Sequence, residues 1–396
     1  MEFKFTPEQE ALKEEFEEFF EEEAKGAPEG FTGDILSVFE SDENWAYHCS
    51  VAKRLGEKGW LSLHWPKEHG GKAYGPIEYF IFHEVRTYHR VPGVDINGPT
   101  NVAASVMDHG SEEVRKRWLP GIAGGDINWC QGWSEPNSGS DLASLGTRAV
   151  EDGDDYVING QKIWTTGAHR ADNMFLLART DPEVPKHKGL TYFLTPMDRP
   201  GITVKPLLFM HGKHEYNETF FDNLRIPKKN IVGKVNNGWY VTMSGMKYER
   251  SGVASFFSLK RDLEDLIGFC RQATHNGKIL GKDPIVRRKL ADLAVEIEAW
   301  RQWAYYVASL QSKGKLALAE GSVSKYFGTE LAVRFANVAV EIMGLYGTLK
   351  KGSKWAVLQG RFEDKCQSNL GITIAGGTNE IQKNMIAWMG LKLPRK

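Results

Sequence analysis

DYVINGQKIWTT (155–166), NMFLLART (173–180) and LTYFLTPM (190–197) set β-branched and aromatic residues at alternate positions or in short unbroken runs, with Asp, Gly and Pro between the segments. That pattern is a strand pattern: side chains repeat every two residues, and the turn formers mark where each strand ends. ITVKPLL (202–208) and ETFFDNLRIP (218–227) continue it. Residues 126–235 therefore read as a middle antiparallel β domain.

On both sides the period becomes 3.6. TPEQEALKEEFEEFFEEE (6–23) offers Thr6 as a cap, Pro7 for the first turn and Glu10 near the capping-box position, and Leu12, Phe16, Phe19 and Phe20 recur at helical spacing. The glutamates between them make a solvated face, with an acidic interaction tail as the competing reading. Long helical patterns return at 241–269, 286–311 and 322–343. The expected fold class is α+β, with an N-terminal helical domain over 1–125 and a C-terminal helical domain over 236–396. Strands do not alternate with crossover helices, and no GxGxxG follows a strand, so a Rossmann site is unsupported.

Lys plus Arg number 50 against 51 Asp plus Glu, a net charge of −1. This lacks the basic excess of a dedicated nucleic-acid binder. The four cysteines, Cys49, Cys130, Cys270 and Cys366, form no CxxC pair, which argues against a zinc cluster or a disulfide framework. No run approaches the ~18 apolar residues of a membrane span, and the N-terminus has no signal-peptide pattern. The expected location is the cytoplasm.

WCQGWSEPNSGSDLASLGT (129–147) packs Gly, Ser, Asn and Pro between a tryptophan and a strand. Such backbone can approach a ligand closely and offer amides and hydroxyls to a polar edge, or it can be an ordinary surface loop. GQKIWTTGAH (160–169) puts Trp164 beside the hydroxyls of Thr165 and Thr166 where a strand ends. A flat indole next to donors suits a planar heterocycle; a core tryptophan is the alternative.

SEPNSGSD (134–141), INGQKIWTTGAH (158–169), NETFFDNLRIPKKNIVG (217–233) and GGTNEIQKNMIA (376–387) occur together, in this order. In these motifs the chain resembles the acyl-CoA dehydrogenases over nearly its whole length. The resemblance implies FAD as cofactor, a C-terminal four-helix bundle, an acyl-CoA substrate and an electron-transfer flavoprotein as acceptor. It implies a homotetramer or a heterotetramer with a related subunit. By position, Gln131, Trp133 and Ser134 match residues at the flavin ring, Ser140 one at the pantetheine of CoA, and Trp164 and Thr166 those beside the ring and its N5. Glu341, Gly344 and Leu345 match the residues holding the adenine half across a subunit interface, and Thr378 and Glu380 the loop near the pyrophosphate.

Two departures matter. IAGGTNEIQ (374–382) puts Gly376 where many members carry the glutamate that takes the substrate α-proton. Glycine cannot accept a proton, though its N–H can bind a thioester carbonyl. HNGKILGKDP (275–284) puts Gly277 near the place of an arginine that reaches the FAD pyrophosphate of a neighbouring subunit. A group of family members instead carries the base on the first helix of the C-terminal domain, and GMKYERSGVA (245–254) sets Glu249 there, followed by Arg250. Three and four residues from Glu249 lie Gly245, Met246, Gly252 and Val253, a small apolar face without a basic partner. Burial on such a face would raise the carboxyl pKa toward that of a general base. A solvated glutamate or a structural ion pair is the competing reading.

Glu135 and Asp141 are expected to hold their loop. His211 and His214 have no evident third metal ligand, and no metal site is expected. The resulting function is α,β-dehydrogenation of an acyl-CoA, with Glu249 as base, Gly376 and Arg250 at the substrate, and a branched, cyclic or bulky acyl group favoured by the vacated loop position. An acyl-CoA oxidase, and a non-catalytic or co-catalytic subunit of a heteromeric dehydrogenase, stand as alternatives.

Overall fold

The computed structural model describes residues 4–249 and 258–395, the side chains of 246–249 excepted. Its helices are α1 (Pro7–Ala24), α2 (Asp42–Glu57), α3 (Pro76–Tyr88), α4 (Ala103–His109), α5 (Glu112–Ala123), α6 (Gly238–Glu249), α7 (Ser258–Gln272), α8 (Pro284–Ser312), α9 (Leu318–Met343), α10 (Arg361–Ile372) and α11 (Asn379–Met385). The strands are β1 (Trp129–Gly132), β2 (Arg148–Asp152), β3 (Asp155–Lys162), β4 (Asn173–Arg179), β5 (Leu190–Pro196), β6 (Ile202–Leu207), β7 (Tyr216–Pro227), and the short pair β8 (Thr274–His275) and β9 (Lys278–Ile279). Helices, a middle β-sheet and helices again follow one another, as the periodicities predict. No helix among the described residues is long and apolar enough to cross a membrane.

Two compact units emerge, and each gathers separated stretches: Leu36–Tyr74 with Pro92–Glu249, and Met1–Ile35 with Gly75–Val91 and Arg250–Lys396. The first unit holds the seven-stranded sheet, ordered β1-β4-β2-β3-β7-β6 with β5 on β4. The expected antiparallel pairing holds for β2–β3, β3–β7, β4–β5 and β6–β7, while β1 runs parallel to β4 and Arg148 of β2 pairs with Arg179 of β4 in the same sense. The connection from β1 to β4 runs through β2 and β3, which gives the chain the long crossover that a parallel pair requires.

β4 explains why NMFLLA reads as a continuous apolar run. Phe175 and Leu177 enter a core with Trp65, Trp118, Trp129, Trp133 and Val241. Met174, Leu176 and Ala178 enter another with Cys130, Ile158, Phe221 and Leu224. A strand covered on both faces has no polar phase.

In the second unit Phe16 and Phe20 of α1 meet Phe82 of α3 at 5.2 and 5.5 Å between ring centroids. The capping box that starts α1 is closed by Gln9 and not by Glu10: the Gln9 N–H donates to Thr6 Oγ1 at 3.2 Å, and the Thr6 N–H donates to Gln9 Oε1 at 3.1 Å. With Pro7 as the first helical residue, the third falls on Gln9. Farther along, α9 packs against α7, α8 and α10, and α7 against α8.

Buried on α7, Asp262 is fully shielded and is bound by three cations. Arg90 donates at 2.7 Å and Arg361 at 3.1 Å, and Lys365 closes on the other oxygen. Asp265 and Asp34 balance the positive charge, at 2.8 Å from Arg361 and 2.9 Å from Lys365. The end of α3, the stretch before α2, α7 and α10 are thereby tied at one charge-neutral point.

Candidate active site

The loop after β1 and the segment after β3 form one structure. Ile163 N–H donates to the Ser134 carbonyl at 2.9 Å. Lys162 Nζ donates to the Trp133 carbonyl at 3.0 Å and to Glu135 Oε1 at 2.8 Å. Glu135 also accepts the Gly146 and Thr147 amides at 2.6 and 2.8 Å. Burial pushes the Glu135 pKa up, but the Lys162 ammonium and the two amides outweigh it, and the carboxyl stays below its ordinary range. Glu135 thus holds the loop. Asp141, at the loop's far end, pairs with exposed Lys186 at 2.7 Å.

Trp164 follows directly. Its φ is +61°, a left-handed conformation that costs a non-glycine residue ~1–2 kcal/mol. Its indole is half exposed and meets Tyr216 edge-on at 5.9 Å. A strained backbone carrying a large exposed aromatic marks a surface made to receive something. Among the described residues the amides of Ser134, Trp164 and Thr166 find no acceptor. The fully buried Thr165 hydroxyl and the buried Trp133 indole N–H also lack partners. A flat face beside unspent donors fits a planar heterocycle with acceptors along one edge. Gln131 is half-buried on β1, and Ser140 is exposed on the loop.

Behind this segment His169 stacks on His214 at 4.0 Å. Asn217 joins them, 3.2 Å from His169 Nδ1 and 2.7 Å from His214 Nε2. Burial first, then His214 and Arg170, lower the His169 pKa to about 4. His211 lies 3.4 Å from Glu215. Among the described residues no three His, Cys, Asp or Glu side chains gather as a metal site.

Apart from Glu249, the remaining expected positions lie in the second unit. Gly376 and Gly377 both have left-handed φ, +65° and +81°, and their carbonyls accept from Gln382 Nε2 at 3.2 Å. Thr378 caps α11 through the Ile381 amide at 3.2 Å, and Glu380 is exposed in its first turn. Glu341 pairs with Lys289, while Gly344 and Leu345 are exposed in the turn that follows α9. Gly277 sits with Asn276 in the two-residue turn joining β8 to β9, both at positive φ. That turn contributes no cation of its own to a pyrophosphate.

Glu249 ends α6; its side chain, Arg250 and Gly252 lie outside the described residues. Gly245 is described, and what approaches its backbone is protein: a Cβ there would meet the Asn101 carbonyl at 2.8 Å and Ser105 Oγ at 2.9 Å. The small face of α6 at this point is spent on close packing against the turn preceding α4.

Lys162 was passed over in the sequence although the signal was present. It shares strand parity with the buried Tyr156 and Ile158, although the exposed Gly160 and a register shift lie between them, so the alternation points toward burial without requiring it. Asp262 gave an equivalent signal, standing on the apolar stripe of Leu259, Leu263, Leu266 and Cys270.

The sequence matches three family models in succession: the acyl-CoA dehydrogenase N-terminal domain over residues 6–126, the middle domain over 130–224 and the C-terminal domain over 236–390. The chain belongs to the acyl-CoA dehydrogenase family. It is 34% identical to "Acyl-CoA dehydrogenase FadE29" of Mycobacterium tuberculosis, over 98% of each chain. Two solved structures cover it fully and are themselves fully covered, each at 32% identity: the "Tcur3481-Tcur3483 steroid ACAD", with a TM-score of 0.90, and the "ChsE4-ChsE5 complex from Mycobacterium tuberculosis", at 0.89. The protein is an oxidoreductase of the acyl-CoA dehydrogenase kind.

Proposed function

We propose that the chain carries out α,β-dehydrogenation of an acyl-CoA whose acyl group is bulky and cyclic, of the kind the name of the steroid relative indicates, with Glu249 as the base. The observation that carries this reading is Gly376. Its left-handed backbone would cost a glutamate ~1–2 kcal/mol, so the loop is shaped for glycine at the position where other members have a carboxylate. Glu249 is the acidic residue at the alternative position on α6.

In this reading Glu249 takes the α-proton, and the Gly376 amide holds the thioester carbonyl as negative charge builds on its oxygen. FAD, when bound, would supply the two-electron acceptor for the β-hydride and pass the electrons to an electron-transfer flavoprotein. Trp164, Trp133 and Gln131, with the Ser134 and Thr166 amides, would hold its ring. Glu341, Gly344, Leu345, Thr378 and Glu380 would hold its nucleotide end, and Ser140 and Arg250 would meet the substrate.

The test is anaerobic bleaching of the purified flavoprotein by straight, branched, cyclic and steroid-derived acyl-CoAs. Bleaching by the cyclic thioesters and its loss in Glu249→Gln support the reading. Unchanged bleaching in that variant removes Glu249 from the mechanism, and no bleaching by any thioester removes the dehydrogenase assignment. Rapid reoxidation by air would point to an oxidase.

A second reading has its own support. The names of both solved relatives pair two components, and the turn at Asn276–Gly277 lacks the pyrophosphate arginine. In that reading the chain is one subunit of a heterotetramer that completes the FAD site with its partner. A colourless chain that gains flavin and activity only with a second chain would establish it.

A further inference from the structure

The side chain of Lys162 has no solvent exposure. Desolvating an ammonium is expensive, and burial brings its pKa down to about 8 despite Glu135. An apolar side chain of similar length would fill the same space without that penalty. What the lysine adds is its bond to the Trp133 carbonyl, 3.0 Å away, secured by Glu135 at 2.8 Å.

The consequence falls on the next peptide group. No peptide bond among the described residues is cis, and in a trans peptide the carbonyl and the following N–H point in opposite directions. With the Trp133 carbonyl turned to Lys162, the Ser134 N–H is turned away from it, and this N–H has no acceptor among the described residues. The Ser134 carbonyl is fixed in turn by Ile163 N–H at 2.9 Å. An ammonium on one end of a peptide also polarises it and strengthens the N–H at the other end as a donor.

We propose that Lys162 is a positioning residue: it fixes and polarises the Trp133–Ser134 peptide, so that the Ser134 N–H donates to an edge acceptor of the planar redox cofactor. Glu135 balances the lysine's charge and anchors it to the Gly146–Thr147 backbone. The proposal rests on the flavin reading above and adds to it a residue that touches neither cofactor nor substrate.

The experiment compares Lys162→Met, Lys162→Gln and the wild-type chain, in whichever assembly binds flavin, with folding checked by circular dichroism. FAD affinity is measured by titrating apoprotein, and the midpoint potential by dye-coupled reduction. Loss of one charge-assisted bond predicts about tenfold weaker FAD binding in Lys162→Met, together with a more negative flavin potential. Lys162→Gln, which keeps a neutral donor, recovers affinity more than it recovers potential. Wild-type affinity and potential in both folded variants would overturn the proposal alone. Failure of the wild-type chain, with or without a second chain, to take up FAD would overturn the flavin reading and this proposal with it. Should Lys162→Met fail to fold, the potential of Lys162→Gln decides: a wild-type value overturns it.

Discussion

Burial opposes protonation of His169 most, and the stacked His214 and nearby Arg170 oppose it further. The sign of the resulting pH dependence follows from proton counting. The folded-state pKa of His169 is about 4, against an ordinary value of 6.5, so between those values the unfolded chain binds more protons and stability rises with pH. The stability is fully present above about pH 6.5 and is lost as pH falls toward 4. Thermal unfolding is expected to show a steeper loss between pH 7 and 4.5 in the wild type than in His169→Asn. His64, brought to about 4 by burial alone, keeps a residual slope in the variant. Equal slopes in the two proteins would mean that His169 does not titrate as its surroundings require. Among single side chains, Trp164 and Thr166 were readable from their motif, because an aromatic and hydroxyls at a strand end are visible in order alone. The left-handed φ of Trp164 and the burial of Thr165 were not, since both depend on the neighbouring strands.

For helices, packing opposes propensity at α6. Gly245→Ala would gain ~1 kcal/mol of helix propensity, but the new Cβ would lie 2.8 Å from the Asn101 carbonyl, a backbone atom that cannot step aside. Overpacking of this kind costs ~1–3 kcal/mol, so the variant is expected to be less stable in urea unfolding; greater stability would show that the turn before α4 can move. On α7 the stakes are larger. Asp262→Ala leaves Arg90, Arg361 and Lys365 without their common anion, and removing one partner of a buried ionic cluster costs ~3–5 kcal/mol. A drop in the urea midpoint of that order is expected, whereas a loss below about 1 kcal/mol, the range of surface pairs, would place the cluster in water. The apolar stripe of α7 was visible as 259, 263, 266 and 270. That Asp262 belongs to it, and is matched by Arg90 just past α3 and by Arg361 and Lys365 of α10, could not be read from periodicity, because its partners are 172 and 99–103 residues distant.

At the level of assembly, Leu345 is 86% exposed and Tyr346 53%, both just past α9 and beside the Glu341–Lys289 pair. The family resemblance matches Leu345 to a subunit interface, and exposed large apolar side chains there are what the proposed assembly would cover. Sedimentation is expected to show a species larger than one chain, and Leu345→Asp to shift it toward smaller species with loss of FAD. A wild-type chain that sediments as a monomer while retaining FAD would remove the interface reading.

The period of the hydrophobic pattern determined the helix, sheet, helix order, because side-chain repeats of 3.6 and 2 are local properties. Four spaced motifs carried the family, since each is a short run whose residues act together. What order along the chain could not decide was the company each residue keeps. The parallel pairing of β1 with β4, Gln9 in place of Glu10 in the cap, Asn101 against Gly245, and Lys162 beneath Trp133 all depend on which distant segments fold back to within about 3–5 Å, the reach of hydrogen bonds and strand pairing. Burial is a property of the folded chain, and it turned a lysine in an ordinary strand into the support of the loop that faces the proposed cofactor.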